Sequence, residues 1–351
     1  MPRKVLGRIR SFWEKTFFQY KEEIIGTQIV DVRTALRQAI DEEMERDPKV
    51  FVMGEEVGEY NGAYKVTKGL LDKWGPKRII DTPIAELGFS GIGVGAAMCG
   101  LRPVIEFMSF NFSFVAADQL ISTAPKIHYM SGNRFSVPIV FRGPNGAAAQ
   151  VSSQHSHCVE SLYSNFPGLI VIAPSNAYDY KGLLKSAIRD NNPVIFLENE
   201  LSYGDKMEIP TEEYTVPIGK ARIVKEGEDI TIVAHSRMVT LCIEVVKELA
   251  KKGIRAELID LRTIKPLDIA TVARSVRKTH RCVLVEEGHY FAGIAAEVGF
   301  QIIEHCFDDL DAPLSRVTQK ETPMPYSKML EAETLPNISR ILSAIYKTLN
   351  R

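Results

Sequence analysis

LIVIAPSNAYDYKGLLKSAIRDNNPVIFLE (169–198) is the stretch on which the fold turns. An apolar run at Leu169–Ala173 is followed by a helical pattern over Tyr178–Asp190 and a second apolar run at Val194–Glu198. Strand, helix, strand is the signature of a parallel sheet covered by helices. The same alternation continues upstream. Asp31 caps a helix running through Ala35 and Ile40 to Glu45. Val50–Met53 reads as a buried strand ending in Gly54-Glu55-Glu56, and Arg78–Ile80 as another. Gly88–Gly100 is apolar and rich in small residues, as a closely packed helix would be. Strands are expected at Arg102–Phe107 and Pro138–Arg142, with a helical segment over Ala116–Tyr129 between them.

Downstream the pattern breaks. LSYGDKMEIPTEEYTVPI (201–218) is polar, holds two prolines and has no periodicity, which places a boundary there. A second α/β series begins beyond it. Strands are expected at Asp229–Ala234, Ala256–Leu261 and Cys282–Glu286, and helices at Met238–Lys251, Ala270–Lys278 and Ala292–Cys306. The chain thus divides into an extension (1–26), a first domain (27–203), a linker (204–218) and a smaller second domain (219–351).

Bulk properties narrow the function. The chain has 351 residues, 45% of them hydrophobic, enough for two ordinary cores. With 43 basic and 44 acidic residues the net charge is -1, so nothing favours nucleic acid as a partner. No apolar run is long enough to span a bilayer. The five cysteines are scattered, without Cys-x-x-Cys or metal-ligand spacing, which suits a reducing compartment. The first residues differ from the rest. Arg3, Lys4, Arg8 and Arg10 precede the first acid, Glu14, while Val5, Ile9, Trp13 and Phe17 recur every fourth residue. A basic, amphipathic, acid-poor start is that of an organellar transit peptide, though serine is scarce.

Several residues could carry chemistry. Gly88-Phe-Ser-Gly91-Ile-Gly93-Val-Gly95 does not keep the spacing of a dinucleotide fingerprint, so small residues for close packing are the better reading. Glu86 falls at the start of that helix, where the macrodipole favours a carboxylate whether or not it is catalytic. Phe107-Met-Ser-Phe110-Asn-Phe112 is either core or the wall of a pocket for a heteroaromatic ring. Gln154-His155-Ser156-His157 follows a Gly/Ala/Ser-rich loop, and one of its histidines is a candidate proton donor.

Seven blocks, in order, carry a resemblance: GEEVGEYNGAYKVTKGL (54–70), RIIDTPIAELGFSGIGVGAA (78–97), EFMSFNFS (106–113), FRGPNGAAA (141–149), QHSHC (154–158), SAIRDNNPVIFLENEL (186–201) and DAP…TPMPY (311–326). From about residue 27 to the end the chain resembles the β subunits of thiamine-diphosphate-dependent 2-oxo acid dehydrogenases, of the mitochondrial pyruvate type. That family pairs a transketolase-like pyrimidine-binding domain with a smaller α/β carboxy-terminal domain. The resemblance implies that Glu86 hydrogen-bonds N1′ of the cofactor's aminopyrimidine, that Phe112 and Met108 line it, and that His155 is a general acid/base near the substrate and lipoyl end. Branched-chain relatives tend to carry glutamine and tyrosine where Met108 and Phe112 stand, which favours pyruvate as substrate. It further implies a structural potassium ion on oxygens of Ile139, Ala187, Ile188, Asp190 and Asn192; a helix that simply ends before Pro193 would need none.

Thiamine diphosphate enzymes hold the diphosphate through Mg2+ with a Gly-Asp-Gly motif, and no Gly-Asp-Gly occurs in this chain. The resemblance therefore implies an α subunit that supplies the metal half, in an assembly of two α and two β chains in the mitochondrial matrix. A cytoplasmic location is the alternative. Rival readings are a branched-chain β subunit, a non-catalytic scaffold of the same fold and a stand-alone transketolase-like enzyme. Two departures stand out. Glu286-Glu-Gly-His289-Tyr290 replaces a different loop, and the chain ends in Arg351 where some relatives end in an apolar residue that helps dock the dihydrolipoyl acetyltransferase core. Asp311, in the family's docking region, is present.

Overall fold

The computed structural model describes residues 26–350; the basic amino-terminal stretch and Arg351 lie outside the described residues. Strand β1 (Thr27–Asp31) runs straight into helix α1 (Val32–Arg46), where the Thr34 amide donates to the Asp31 carboxylate at 2.9 Å. This is the cap read from the sequence, and it satisfies one of the free amides of a helix start. Next come β2 (Val50–Gly54), α2 (Leu70–Trp74), β3 (Ile79–Asp81), α3 (Glu86–Met98) and β4 (Arg102–Glu106). The short α4 (Ile127–Met130) leads to β5 (Val140–Asn145). After it come α5 (Glu160–Ser164), β6 (Ile170–Ile172), α6 (Ala177–Arg189), β7 (Val194–Asn199) and β8 (Lys206–Pro210). The second series begins with β9 (Arg222–Lys225), β10 (Ile230–Ala234), α7 (Arg237–Lys251), β11 (Ala256–Asp260) and β12 (Thr263–Lys265). It ends with α8 (Ile269–Thr279), β13 (Cys282–His289), α9 (Ile294–Cys306), β14 (Ser315–Gln319), α10 (Lys328–Thr334) and α11 (Ile338–Thr348).

The larger sheet has the order β12-β6-β7-β5-β4-β2-β3. Its strands run parallel except β12, which pairs antiparallel with β6 although it arrives from far downstream. The second sheet, β14-β13-β10-β11-β9, is parallel apart from β9. β2, β5, β7, β10 and β11 are buried along their whole length, as parallel strands covered on both faces must be. Adjacent residues therefore serve different cores. Val52, Val104, Val140 and Phe196 pack with Leu36 and Ile40 of α1 and Leu183 and Leu184 of α6. Ile105, Phe141 and Leu197 face the other way and share one core with Val233, Ile259, Leu284 and Ile294 of the second series. That shared core is what fixes the two sheets against each other.

Three places depart from the sequence reading. The helix expected over 116–129 is broken into a π-helical stretch, Asp118–Thr123, and α4. Pro125 lies between them and has no amide to continue the ladder, and Ala124 donates five residues back to Gln119. The polar stretch 201–218 contains β8, which forms an antiparallel ribbon with β1. The glycine-rich helix is close-packed at one point: a Cβ on Gly93 would lie 2.8 Å from Ile105 Cδ1. At Gly95 it would meet nothing within 4 Å, and Ile84, Leu87 and Ile92 around that face are 83%, 48% and 65% exposed.

Candidate active site

Ligand sites in open parallel sheets form at the carboxyl ends of the strands, and there the structure gathers the candidate residues. β2 ends at Gly54 and delivers Glu55; β3 leads through Thr82–Ala85 into Glu86, first residue of α3. Ala85 offers no side-chain cap, so the helix start keeps its partial positive charge for the Glu86 carboxyl group. Glu86 and Glu55 are 7% and 6% exposed and lie beside each other. Burial, and then the Glu86 carboxyl group beside it, raise the Glu55 pKa. The Gly58 and Glu59 amides donate to Asp81 at 2.6 and 2.9 Å and fix the loop behind Glu55.

The aromatic cluster divides. Phe107 and Phe110 are core, with ring centroids 5.4 Å apart and further contacts to Phe89, Phe141 and Tyr163. Phe112 is half-buried and meets the His155 ring edge-on at 5.4 Å and 89°, and Met108 is half-buried on the same segment. The two histidines also part. The Nδ1 of His157 lies 2.6 Å from Asn111 Oδ1, which also accepts from the His157 amide at 3.0 Å, so that imidazole is committed to holding the loop. His155 instead faces Phe112, and Glu200 follows just beyond β7 on the same side. Burial raises the Glu200 pKa, while the neighbouring Tyr64 hydroxyl and His155 act the other way. Glu55, Tyr64 and Glu200 were not singled out from the sequence. The available signal was that two of them directly follow buried strands.

A second polar group lies where the two sheets' carboxyl edges meet. Glu160, buried, accepts from Asn145 Nδ2 at 2.9 Å and stands 3.9 Å from His235 Nε2. Burial pushes the Glu160 carboxyl up to about 8 and holds His235 down to about 4, so at neutral pH the pair is uncharged. Glu286 accepts from the Ile294 and Ala295 amides at 2.9 and 3.1 Å, and burial still raises it to about 7.

The oxygens expected to hold potassium lie at the opposite, amino edge. The Ile188 and Asp190 carbonyls both accept from Arg102 Nη1 at 2.9 Å, Ile139 O accepts from the Val194 amide at 2.9 Å, and Ala187 O from the Asp190 amide. Asn192 donates to Asp190 Oδ1 through its amide and its side chain. The set is all oxygen at a helix end, as a hard cation requires, and each carbonyl keeps a second lone pair beside its present donor. Arg102 already answers part of the negative potential there.

This architecture, two helix-covered and mainly parallel sheets joined through one shared core, is that of the thiamine-dependent transketolase class. Residues 28–206 match the family model "Transketolase, pyrimidine binding domain" and 219–341 match "Transketolase, C-terminal domain". A solved structure titled "Split gene transketolase, inactive beta4 tetramer" superposes with a TM-score of 0.74 at 21% identity, over 92% of this chain and 98% of that one. Sequence relatives are more particular. The Bos taurus protein named "Pyruvate dehydrogenase E1 component subunit beta, mitochondrial" is 56% identical over 92% of this chain and 91% of its own length. "Pyruvate dehydrogenase E1 component subunit beta-1, mitochondrial" of Arabidopsis thaliana is 55% identical over 91% and 89%, and the Dictyostelium discoideum subunit beta 53% identical over 93% of each. The chain belongs to the family of pyruvate dehydrogenase E1 component β subunits.

Proposed function

We propose that this chain is the aminopyrimidine half of a two-chain thiamine diphosphate site that decarboxylates pyruvate and transfers the acetyl group to lipoyl groups. The observation that carries the reading is the buried Glu86 carboxyl group at the first turn of α3, with the Glu55 carboxyl group beside it. When bound, thiamine diphosphate supplies the electron sink that lets a 2-oxo acid lose carbon dioxide. Glu86 would hold N1′ of the aminopyrimidine in a pocket that excludes water, and Phe112 and Met108 would line its ring. His155, kept apart from Asn111 by the engagement of His157, would give and take a proton near the acyl group. Mg2+ and the diphosphate would be held by an α subunit, in an assembly of two α and two β chains in the mitochondrial matrix. Potassium would join the carbonyls of Ile139, Ala187 and Ile188 with Asp190 and Asn192 in a structural role. The dihydrolipoyl acetyltransferase core would dock near Asp311, whose carboxylate lies 3.4 Å from Arg281.

The test uses the complex of this chain with its α partner. Carbon dioxide release from pyruvate is expected to exceed that from 3-methyl-2-oxobutanoate, and E86Q should lower it by at least roughly 100-fold. Preference for the branched acid would move the chain to the branched-chain reading. Near-normal turnover by E86Q would leave only a scaffold.

A further inference from the structure

The loop from β5 to α5 carries His155, and its two ends are closed on each other by the Gly146 amide donating to His157 O at 2.9 Å. The clamp on its first residues comes from the other sheet. Glu287, near the end of β13 and 5% exposed, accepts from the Ala147 amide through Oε1 at 2.5 Å and from Asn199 Nδ2 through Oε2 at 3.1 Å. Asn199 is itself fixed: its Oδ1 accepts from the Leu201 amide at 3.1 Å, and its backbone amide donates to the Tyr180 hydroxyl at 3.0 Å. Gly146 completes the fit. It has φ +81°, and a Cβ there would lie 2.6 Å from Glu287 Oε1, so the loop can approach the carboxylate only through a glycine. Nearer the tip the loop is held more lightly, by the Gln150 amide on Glu331 at 2.9 Å and Ser152 Oγ on Met324 O at 3.3 Å.

A buried carboxylate is an expensive way to join two sheets, since apolar side chains of similar volume do so without a desolvation cost. What a carboxylate adds is direction. It holds one backbone amide and one side-chain amide in a fixed relation, and here these belong to the start of the histidine loop and the end of β7. We propose that Glu287 is a positioning residue: reaching from the second sheet, it sets the loop that presents His155 to the acyl group. The inference rests on the role of His155 proposed above.

The experiment compares wild type, E287Q, E287Q/N199D, H155A and E287Q/H155A, each assembled with the α subunit. The E287Q substitution would turn an NH2 group toward the Asn199 NH2 group. In the double variant, the carboxylate brought in by N199D would accept from that NH2 group and from the Leu201 amide. E287Q is expected to raise hydrogen–deuterium exchange across 146–157 and to lower kcat by on the order of 10-fold, with KM for pyruvate nearly unchanged. E287Q/N199D should recover most of both losses, and E287Q should cost nothing further once His155 is replaced by alanine. G146A, which crowds Glu287 from the loop side, should reproduce E287Q if that variant assembles poorly. Unchanged exchange in 146–157, or an equal loss of kcat in the H155A background, would overturn the proposal. Full turnover by H155A together with a loosened loop in E287Q would strike the role of His155 while supporting the clamp.

Discussion

Burial and the neighbouring Glu86 carboxyl group raise the pKa of Glu55, because two adjacent buried carboxylates repel each other. A glutamine at position 55 is a neutral group of the same shape, whereas at position 86 it removes the carboxyl group proposed to hold the aminopyrimidine. E55Q should therefore keep turnover of the complex within about 5-fold of wild type while E86Q loses at least roughly 100-fold. Carbon dioxide release under matched conditions measures both, and a reversed order would exchange the two roles. In the sequence Glu86 is visible only as a first-turn acid, and family resemblance alone gives it a task. Its neighbour Glu55 stands at the end of a separate strand well upstream, a pairing that no local pattern encodes. His155 and His157 are likewise equivalent in sequence and separate only because Asn111 engages one of them.

Between elements, the acids at the meeting of the sheet edges govern how stability depends on pH. Glu160 titrates near 8 and Glu286 near 7, against an ordinary value of 4.5. The folded chain thus binds these protons more tightly than the unfolded chain. The stability they contribute is complete below the ordinary carboxylate value and is lost as pH rises through 7 to 8. The thermal unfolding temperature of the wild type should fall between about pH 5 and 8, and E160Q should flatten that fall. An unchanged slope would show that Glu160 is already ionised at neutral pH. The regular elements themselves were legible. The apolar runs of β2, β5, β7, β10 and β13 and the Asp31 cap stand where patterning puts them. The segment before β5 was not, because Pro125 turns a helical pattern into a π-helical stretch and a short helix. Nor was β8, whose short Lys-Met-Glu-Ile-Pro run sits in a polar, proline-bearing stretch and forms a strand through pairing with β1.

On the scale of the whole molecule, the chain presents apolar surface beside its site. Ile84, Leu87 and Ile92 flank Glu86, and Phe114 and Val115 are exposed just beyond Phe112. Exposed apolar patches of this kind mark association surfaces, in keeping with a site completed by an α chain. Titration calorimetry of the isolated chain with thiamine diphosphate and Mg2+ should give no saturable heat, whereas the complex with α should bind; tight binding by the isolated chain would make it a self-sufficient enzyme. Strand β12 bears on how such a protein could be rearranged. Thr263–Lys265 leaves the second series to complete the border of the first sheet beside β6. A chain divided anywhere between β8 and β12 would leave the rim of β6 with open amides and carbonyls, ready to recruit a foreign strand. The two halves are thus poor candidates for independent exchange between genes: a recombination that keeps only the first would inherit a sticky border, and selection would favour moving them together.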